Sequence, residues 1–409
     1  MSKPVAVIVP TDPIAAYEAK GLTWMEGYYN PAAVFSTVHA LSPLETESRQ
    51  AWGLNITPCP VMDFADRAAS VSPDVIRVYG AFWGAEMAVG QRVEGVPLIV
   101  SVHDTINISP AVALADHVIC MSRVVADKVA ELGTDRDRIS VMPNRVDLTL
   151  FRPYEQDEKQ AVQSDLESRY RSGRCILHIG RKAPQKNLDT LLKALPGLPD
   201  DVWILAVGRE ESDTYRKLAE ELGVSDRILW EPSVPNDQLP RIYNAVDLVV
   251  VPSRWEGFGL VFLEAAACGA PIITADIAPM NEFLTHDQTA HLVSAYEDPD
   301  ALQTAILHLL EDDAARMSLA AGAPQAAAPF DRAVVDQTEK DIYTRVIAQP
   351  PRVYTAQEAQ TARELCQKAK RDLQKRVFKQ SRLYKIMYLF GSPVLRRLRR
   401  LKQVLGGAS

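Results

Sequence analysis

Short apolar runs of four to seven residues alternate along the chain with segments of helical periodicity. Most of these runs are continuously apolar, which is typical of strands that are buried on both faces of a parallel sheet. The pattern therefore predicts strands joined by helices, as in an α/β fold. The predicted strands are residues 5–9, 97–102, 117–121, 174–180, 202–208, 227–230, 248–252 and 271–274.

A charged stretch without any strand-like run covers residues 152–172. We interpret it as the linker between two doubly wound, Rossmann-like domains, because a chain of 409 residues has room for about two or three domains. The predicted domains are residues 1–165 and 172–335, followed by a C-terminal part, 336–409. Ligands of such folds bind at the carboxyl ends of the strands, which here would face a central cleft.

The sequence "RWEGFG" (254–259) reads as a turn from a strand into a helix. Gly257 and Gly259 allow the backbone to approach a ligand closely, and the N–H groups of Phe258 to Leu260 would form an anion site at the helix N-terminus. Glu256 and Glu264 flank this site, and ionised carboxylates suit paired hydroxyls. Alternatively, the first is a partner of the helix dipole and the second a solvated helix acid.

Two cations follow the strand predicted at 174–180. Arg181 and Lys186, in "GRKAPQKN", would project from its carboxyl end into the cleft and offset the charge of a nucleotide diphosphate. The alternative is a solvated basic loop. His103 follows another predicted strand and would face the same cleft, unless it has a purely structural role.

These segments together resemble glycosyltransferase family 4 of the GT-B superfamily. The resemblance rests on the two glutamates eight positions apart, on "GRKAPQKN", and on residues 115–153, and it covers most of residues 97–345. It implies a retaining transferase that moves a sugar from a nucleotide diphosphate sugar. We expect the acceptor to be a glycan or a lipid-linked molecule in cell-surface polysaccharide synthesis, which would fit the basic tail described below. The resemblance also implies that no metal or other cofactor takes part, that the first domain binds the acceptor and that the second binds the donor nucleotide.

The resemblance assigns roles to individual positions. Arg181 and Lys186 would bind the donor diphosphate together with the backbone of Gly257, Phe258, Gly259 and Leu260. The catalytic residues would be Glu256, which holds the hydroxyls of the donor sugar, and His103. Glu264 would bind the ribose, and the nucleobase would lie against Pro232, Ser233 and Val234.

The sequence departs from the family pattern at several positions. Asp12-Pro13 replaces a Gly-Gly pair after the first strand, Arg145 replaces a glycine in "PNRVD", and Asn187 follows Lys186 where glycine is usual. Ala290-His291 fills another glycine position. Because none of these changes removes a predicted donor-binding charge, they indicate a divergent branch with its own acceptor.

Charge is distributed unevenly along the chain, whose net charge is −7. Residues 361–409 carry 14 Lys and Arg against 2 Asp and Glu, which leaves the rest strongly acidic. Together with leucines at helical spacing, this predicts a basic amphipathic helical tail (375–409) that docks on an anionic membrane. The alternative is packing on the protein body or on a second subunit of a homodimer. The acidic body argues against a nucleic-acid partner.

The remaining features favour a cytoplasmic protein, and the basic tail would place it peripherally on the inner face of the membrane. Five scattered cysteines without a CxxC motif suggest reduced thiols, and neither a signal peptide nor an apolar segment of about 18 residues is evident. Two other functions stay open at this point: a nucleotide-sugar-binding scaffold or sensor subunit, and a sugar-nucleotide epimerase.

Overall fold

The computed structural model describes residues 3–19, 22, 25–209 and 213–380, and residues 381–409 of the predicted basic tail lie outside this range. Two β-sheets, each covered by helices, form the two halves of the protein. The first sheet contains β1 (Val5–Val9), β2 (Thr37–Ser42), β3 (Arg49–Ala51), β4 (Leu54–Pro58), β5 (Val75–Tyr79), β6 (Leu98–Val102), β7 (His117–Cys120) and β8 (Ile139–Val141). The second contains β9 (Arg174–Ile179), β10 (Val202–Val207), β11 (Ile228–Glu231), β12 (Leu248–Val251), β13 (Ile272–Ala275) and β14 (His291–Val293).

Helices connect these strands and cover the sheets. Those of the first half are α1 (Ile14–Glu18), α2 (Phe64–Ala69), α3 (Trp83–Gly90) and α4 (Arg123–Glu131). They are followed by α5 (Gln156–Arg169), α6 (Leu188–Ala194), α7 (Thr214–Glu221), α8 (Leu239–Ala245), α9 (Leu260–Ala267), α10 (Met280–Phe283), α11 (Pro299–Glu311), α12 (Asp313–Ala327), α13 (Arg332–Ile347) and α14 (Ala356–Gln380). Among the described residues, no helix is both long and apolar enough to cross a bilayer.

Both sheets are doubly wound, which confirms the predicted fold class. The first has the order β3-β4-β2-β1-β5-β6-β7-β8 and is parallel except for β3, and the second has the parallel order β11-β10-β9-β12-β13-β14. Strands such as β6, β7, β10 and β12 are buried along their whole length, as expected for a sheet covered on both faces. All eight predicted strands are present, with ends within one residue of the prediction.

Six strands were not predicted, namely β2, β3, β4, β5, β8 and β14. Three of them have only three residues, too few to give a recognisable run. In β5 the run is interrupted by Arg77, which is nevertheless 1% exposed because its guanidinium pairs with Glu339 of α13 at 2.5 Å. A buried charge of this kind requires a partner.

The predicted linker contains a helix that belongs with the second half. α5 begins with a capping box between Glu155 and Glu158, and it buries Val162 and Leu166 against α8. The chain passes from the first half to the second between β8 and α5, which is the first crossing, and returns between α12 and α13, which is the second. At the two crossings, the N–H of Val146 donates to the carbonyl of Phe330 (3.0 Å) and the N–H of Arg332 donates to the carbonyl of Val146 (2.8 Å).

Candidate functional site

The winding of the second sheet determines where its crevice lies. From β9 the chain adds β10 and β11 on one side, and β12 to β14 on the other, so the winding reverses between β9 and β12. Ligands of doubly wound sheets bind at the carboxyl ends of the strands at such a reversal. The loop after β9 carries residues 181–187 and the loop after β12 carries residues 252–259, so both predicted donor-binding segments meet there.

A buried ion pair joins these two loops. The Nζ atom of Lys186 lies 2.5 Å from Oε1 of Glu256, and the two residues are 9% and 6% exposed. Ser253 Oγ donates to the same carboxylate at 2.8 Å, and Gln185 Nε2 lies 3.4 Å from its other oxygen. The structure therefore places Lys186, which is predicted to bind the diphosphate, beside Glu256, which is predicted to bind the donor sugar. Ser253 and Gln185, which the sequence interpretation did not single out, orient the carboxylate.

Arg181 lies at the exposed edge of the same loop. Its Nη2 atom donates to Oε1 of Gln185 at 3.0 Å, so it is held beside the Lys186 side of the crevice. Asn187, which follows Lys186 in this loop, has a φ of 54°, in the left-handed region that glycine and asparagine tolerate best. Its amide donates to the carbonyls of Pro252 and Tyr296. Asparagine can therefore take the place of the usual glycine in this backbone conformation, and its side chain adds two hydrogen bonds that hold the loop.

The turn into α9 has the form that the sequence predicts. Gly259, with a φ of 90°, precedes the helix, and its carbonyl accepts a hydrogen bond from the N–H of Phe262 at 3.0 Å. The N–H groups of Leu260 and Val261, which come before it in the first turn, have no partner within the helix. The side chain of Phe258 is buried against Phe283 and Phe330, with ring centroids 5.2 and 5.5 Å away. The ring of Phe258 thus holds the turn in place by packing, so only the backbone of this residue could contact a ligand in the crevice.

The two halves touch at Gly257. A Cβ atom at this position would lie 1.8 Å from the carbonyl oxygen of His103, and Ser122 Oγ donates to the carbonyl of Gly257 at 2.6 Å. His103 therefore lies at the turn, as predicted. Its Nε2 atom is buried without a hydrogen-bond partner among the described residues, and burial, with a contribution from Arg77, lowers its pKa to about 4. The imidazole is neutral at pH 7.

Glu264 faces the inside of the protein. It is 6% exposed and accepts a hydrogen bond from the hydroxyl of Tyr243 at 2.9 Å. Burial raises its pKa to about 7, although Tyr243 and Lys186 both act to lower it. It lines a cavity together with Leu260, Asn236 and residues of the first crossing. The alternative of a solvated helix acid is therefore wrong.

The residues predicted to contact the nucleobase lie in the loop after β11. Ser233 and Val234 line a pocket formed with α5 and α8, and Pro232 is exposed. Asn236, only a few positions further, lines the cavity that contains Glu264. Asn236 was missed because a loop has no periodicity from which side-chain direction could be predicted.

Arg145, which replaces a glycine of the family pattern, lines the same cavity. Its guanidinium pairs with Asp336 and, at 2.5 Å, with Glu339, both on α13. It also stacks on the ring of Tyr28, with 4.9 Å to the centroid. The arginine thus ties the first crossing to α13.

One set of potential metal ligands occurs among the described residues: His286, Asp287 and His291. Nδ1 of His286 accepts a hydrogen bond from the N–H of Leu292 at 3.0 Å, so the proton of the neutral ring lies on Nε2, which faces Asp287. Metal-bound histidines instead donate with their second nitrogen. His291 also contacts Asp287, at 2.7 Å. Hydrogen bonds therefore explain this cluster, and it fits a metal poorly.

Two facing doubly wound halves with a cationic, glycine-rich crevice define a GT-B protein. The family model "Glycosyltransferase Family 4" matches residues 4–150, and "Glycosyl transferases group 1" matches residues 165–326. A D-inositol 3-phosphate glycosyltransferase of Catenulispora acidiphila is 30% identical over 291 residues, which cover 63% of this chain and 68% of that protein. The chain belongs to glycosyltransferase family 4.

Further relatives agree with this assignment. A D-inositol 3-phosphate glycosyltransferase of Salinispora tropica is 32% identical over 286 residues, which cover 65% of this chain and 57% of that protein, so the chain spans little more than half of it. The crystal structure of Anabaena HepE with UDP matches with a TM-score of 0.68 at 19% identity, covering 84% of this chain and all of that one. Sucrose-phosphate synthase from Thermosynechococcus elongatus also matches with 0.68, at 20% identity, over 85% and 99% of the two chains. These structural similarities concern the fold alone.

Proposed function

We propose that the protein is a retaining glycosyltransferase that moves a sugar from a nucleotide diphosphate sugar to a glycan or lipid-linked acceptor in cell-surface polysaccharide synthesis. The observation that carries the proposal is the Lys186–Glu256 pair at the carboxyl ends of β9 and β12, beside the N-terminus of α9. The names of the relatives support sugar transfer, and neighbours crystallised with UDP or UDP-glucose support a nucleotide sugar as donor.

In the proposed reaction, the cations act on the leaving group. Lys186, Arg181 and the N–H groups at the start of α9 stabilise the negative charge that develops on the diphosphate as its bond to the sugar breaks. The acceptor hydroxyl forms the new bond to the same sugar carbon, and its proton passes to the departing phosphate oxygen. Every bond and proton is then accounted for without a cofactor.

Retention is proposed to follow from attack on the same face that the diphosphate leaves. The competing scheme uses a carboxylate nucleophile and a covalent sugar intermediate. Glu256 is a carboxylate at the predicted phosphate site, and it already accepts hydrogen bonds from Lys186 and Ser253. We therefore assign it to the hydroxyls of the donor sugar. The anomeric configuration of the product, determined by NMR, tests retention directly.

We also propose that the basic C-terminal segment attaches the protein to an anionic membrane on its cytoplasmic face. Residues 381–409 include seven Lys and Arg and no Asp or Glu, and each basic residue near such a surface contributes about 1 kcal/mol. Vesicles with anionic lipid should bind the full chain, and vesicles with only zwitterionic lipid should not. A chain that ends at residue 380 should lose this binding, and equal binding of both chains would refute the proposal.

The central test combines binding and transfer. A thermal-shift screen with UDP, GDP, ADP and their sugars identifies the donor, because a ligand that binds only the folded state stabilises it by mass action. The best donor, with labelled sugar, is then offered to a membrane extract and, separately, to D-inositol 3-phosphate, the acceptor in the relatives' names. Label in either acceptor supports transfer, and the two arms separate the acceptor classes. Stabilisation without transfer favours the sensor or scaffold role, and no stabilisation at millimolar concentrations overturns the proposal.

A further inference from the structure

The winding of the first sheet also reverses, and doubly wound sheets have a crevice for ligands at the carboxyl ends of the strands at such a reversal. From β1 the chain adds β2, β3 and β4 on one side and β5 to β8 on the other, so the reversal lies between β1 and β5. The loop after β1 contains Thr11, whose Oγ1 donates to the carbonyl of Tyr79 at 2.6 Å. Gly80, with a φ of 102°, lies so close that a Cβ atom there would be 3.1 Å from Thr11 Oγ1. The loops after β1 and β5 are therefore in direct contact, through the side chain of Thr11 and the backbone of Tyr79 and Gly80.

Helix α14 brings a cation to this crevice. It runs antiparallel to α3, with Cys366 beside Gly90 and Lys368 Nζ 2.5 Å from a carboxylate oxygen of Glu86. Two turns after Lys368, Arg376 reaches the carboxyl edge of the sheet, where its Nη2 atom lies 2.6 Å from Oδ1 of Asp12. The end of α14 is thus part of the crevice wall.

The Asp12–Arg376 pair is open to solvent, with 33% and 36% of the side chains exposed. Pairs of this exposure contribute little to stability. Together they present carboxylate oxygens, which accept hydrogen bonds, beside guanidinium N–H groups, which donate them. Sugar hydroxyls do both, so the pair matches a hydroxyl-rich ligand.

An exposed aromatic ring completes the crevice. Phe82 is 40% exposed, and its ring lies 3.3 Å from the position that a Cβ atom of Gly80 would occupy. Large apolar side chains are usually buried. Here the ring offers an apolar face next to the polar pair, and a sugar ring likewise has polar edges and an apolar face.

The crevice is also within reach of the donor site. β5 lies between β1 and β6, and neighbouring strands are about 4.8 Å apart, so the ends of β1 and β6 are about 10 Å apart. β6 leads into His103, whose carbonyl meets Gly257 at the donor turn. A ligand bound at Asp12 can therefore extend a hydroxyl group towards the donor sugar.

We infer that Asp12, Arg376 and Phe82 bind the acceptor, and that the acceptor presents a hydroxyl-rich sugar or cyclitol ring to them. This inference rests on the proposed transferase function and assigns its acceptor side to particular residues. It also gives a role to Asp12-Pro13, which stands where the family pattern has a Gly-Gly pair.

The test measures acceptor use and donor affinity separately. In transfer assays with the membrane extract and with D-inositol 3-phosphate, Asp12→Asn and Arg376→Ala should each raise the half-saturating amount of acceptor at least about tenfold, the scale for losing a hydrogen bond to a charged group. The double variant should lose less than the product of the two single losses, because Asp12 and Arg376 are paired with each other. Phe82→Ala should act in the same direction. The affinity for UDP, measured by calorimetry, should stay the same.

Lys375→Ala is the matched control. It also removes one positive charge from α14, one position before Arg376, but Lys375 pairs with Asp372 and not with Asp12. It should leave acceptor use at the wild-type level. If the wild type transfers sugar and Asp12→Asn saturates normally, the inference is overturned while the proposed function stands. Equal losses in Lys375→Ala and Arg376→Ala, or a loss of UDP affinity in Asp12→Asn, also overturn it. A wild type that neither binds a nucleotide nor transfers sugar overturns both.

Discussion

Lys186 and Glu256 bind each other, with 2.5 Å between Nζ and Oε1, although the family resemblance assigns them to different parts of the donor. The lysine follows β9 and the glutamate follows β12, so the pair holds together the two loops that border the crevice. Each group keeps the other in place before a ligand arrives. Positioning of this kind lets charged groups act on a transition state without reorganising.

Removal of either member of this pair should therefore impair transfer strongly. Lys186→Ala and Glu256→Gln should each lower kcat by at least about 10²-fold, the scale for losing one donor that stabilises transition-state charge. Lys193→Ala, in the exposed part of α6, is the control and should behave as the wild type. Near-normal turnover in both site variants would contradict the assignment of these residues.

The affinity for UDP should depend on the ionisation of Glu264. Because burial raises its pKa to about 7, the carboxylate, which we propose accepts ribose hydroxyls, becomes populated between about pH 6 and 8, and affinity should rise over this range. Calorimetry on Glu264→Gln isolates the contribution of the diphosphate, which ionises in the same range. Tyr243→Phe removes a hydrogen bond that lowers the pKa, so the midpoint should move to higher pH. Identical pH profiles in the wild type and Glu264→Gln would refute this role.

The raised pKa of Glu264 also affects stability. The folded value lies above the ordinary value of 4.5, so its contribution is fully present below pH 4.5 and is lost as the pH rises through about 7. Urea denaturation of the protein without ligand should show this loss in the wild type. The corresponding step should be missing in Glu264→Gln.

Gly257→Ala should separate the two halves at their contact. The added Cβ atom would lie 1.8 Å from the carbonyl oxygen of His103, so the turn must shift. A misplacement of about 1 Å can cost about 10² in rate, and we expect a loss of this size in kcat. Gly133→Ala is the control: its φ of 95° imposes strain, but the space around it is open. It should lose about 1 kcal/mol of stability and keep its activity. Equal activity in the two variants would contradict a role of this contact.

Glu339→Ala should destabilise the fold by about 3–5 kcal/mol, because it leaves Arg77 and Arg145 buried without this partner. Glu131→Ala, which breaks an exposed pair with Lys128, should cost at most about 1 kcal/mol. Burial by itself would raise the pKa of Glu339, but Arg77 and Arg145 outweigh it and the pKa is lowered. The stabilisation is thus present above pH 4.5 and lost as the pH falls through the lowered value. Urea denaturation from pH 3 to 7 measures both effects, and a loss no larger than that of Glu131→Ala would count against the network.

Local sequence was sufficient for the strands that are continuously apolar and for the residues that follow them. Arg181, Lys186 and Glu256 could be grouped in advance because the carboxyl ends of parallel strands share one edge of a sheet. β5 could not be predicted in this way. Its Arg77 is buried only because Glu339 pairs with it from 262 positions away, and no local pattern contains that information.

The same limit applies to the site. Asn236 and Arg145 line the cavity of Glu264 through the course of a loop and of a chain crossing, neither of which has a period. The position of Arg376 against Asp12 spans 364 residues. Contacts of this range depend on how helices and sheets pack, and the sequence offered only the departure from glycine at positions 12 and 145 as a signal.

The hydrogen bonds between Val146 and the segment around Phe330 have a mechanical consequence. They join the two crossings to each other, so the two halves are connected at one shared place and not by two separate segments. A movement of the two halves about this place would separate Ser122 from Gly257. Lys186 and Glu256 both belong to the second half and would move together. A nucleotide bound as proposed would therefore stay with the second half while the contact between the halves opens.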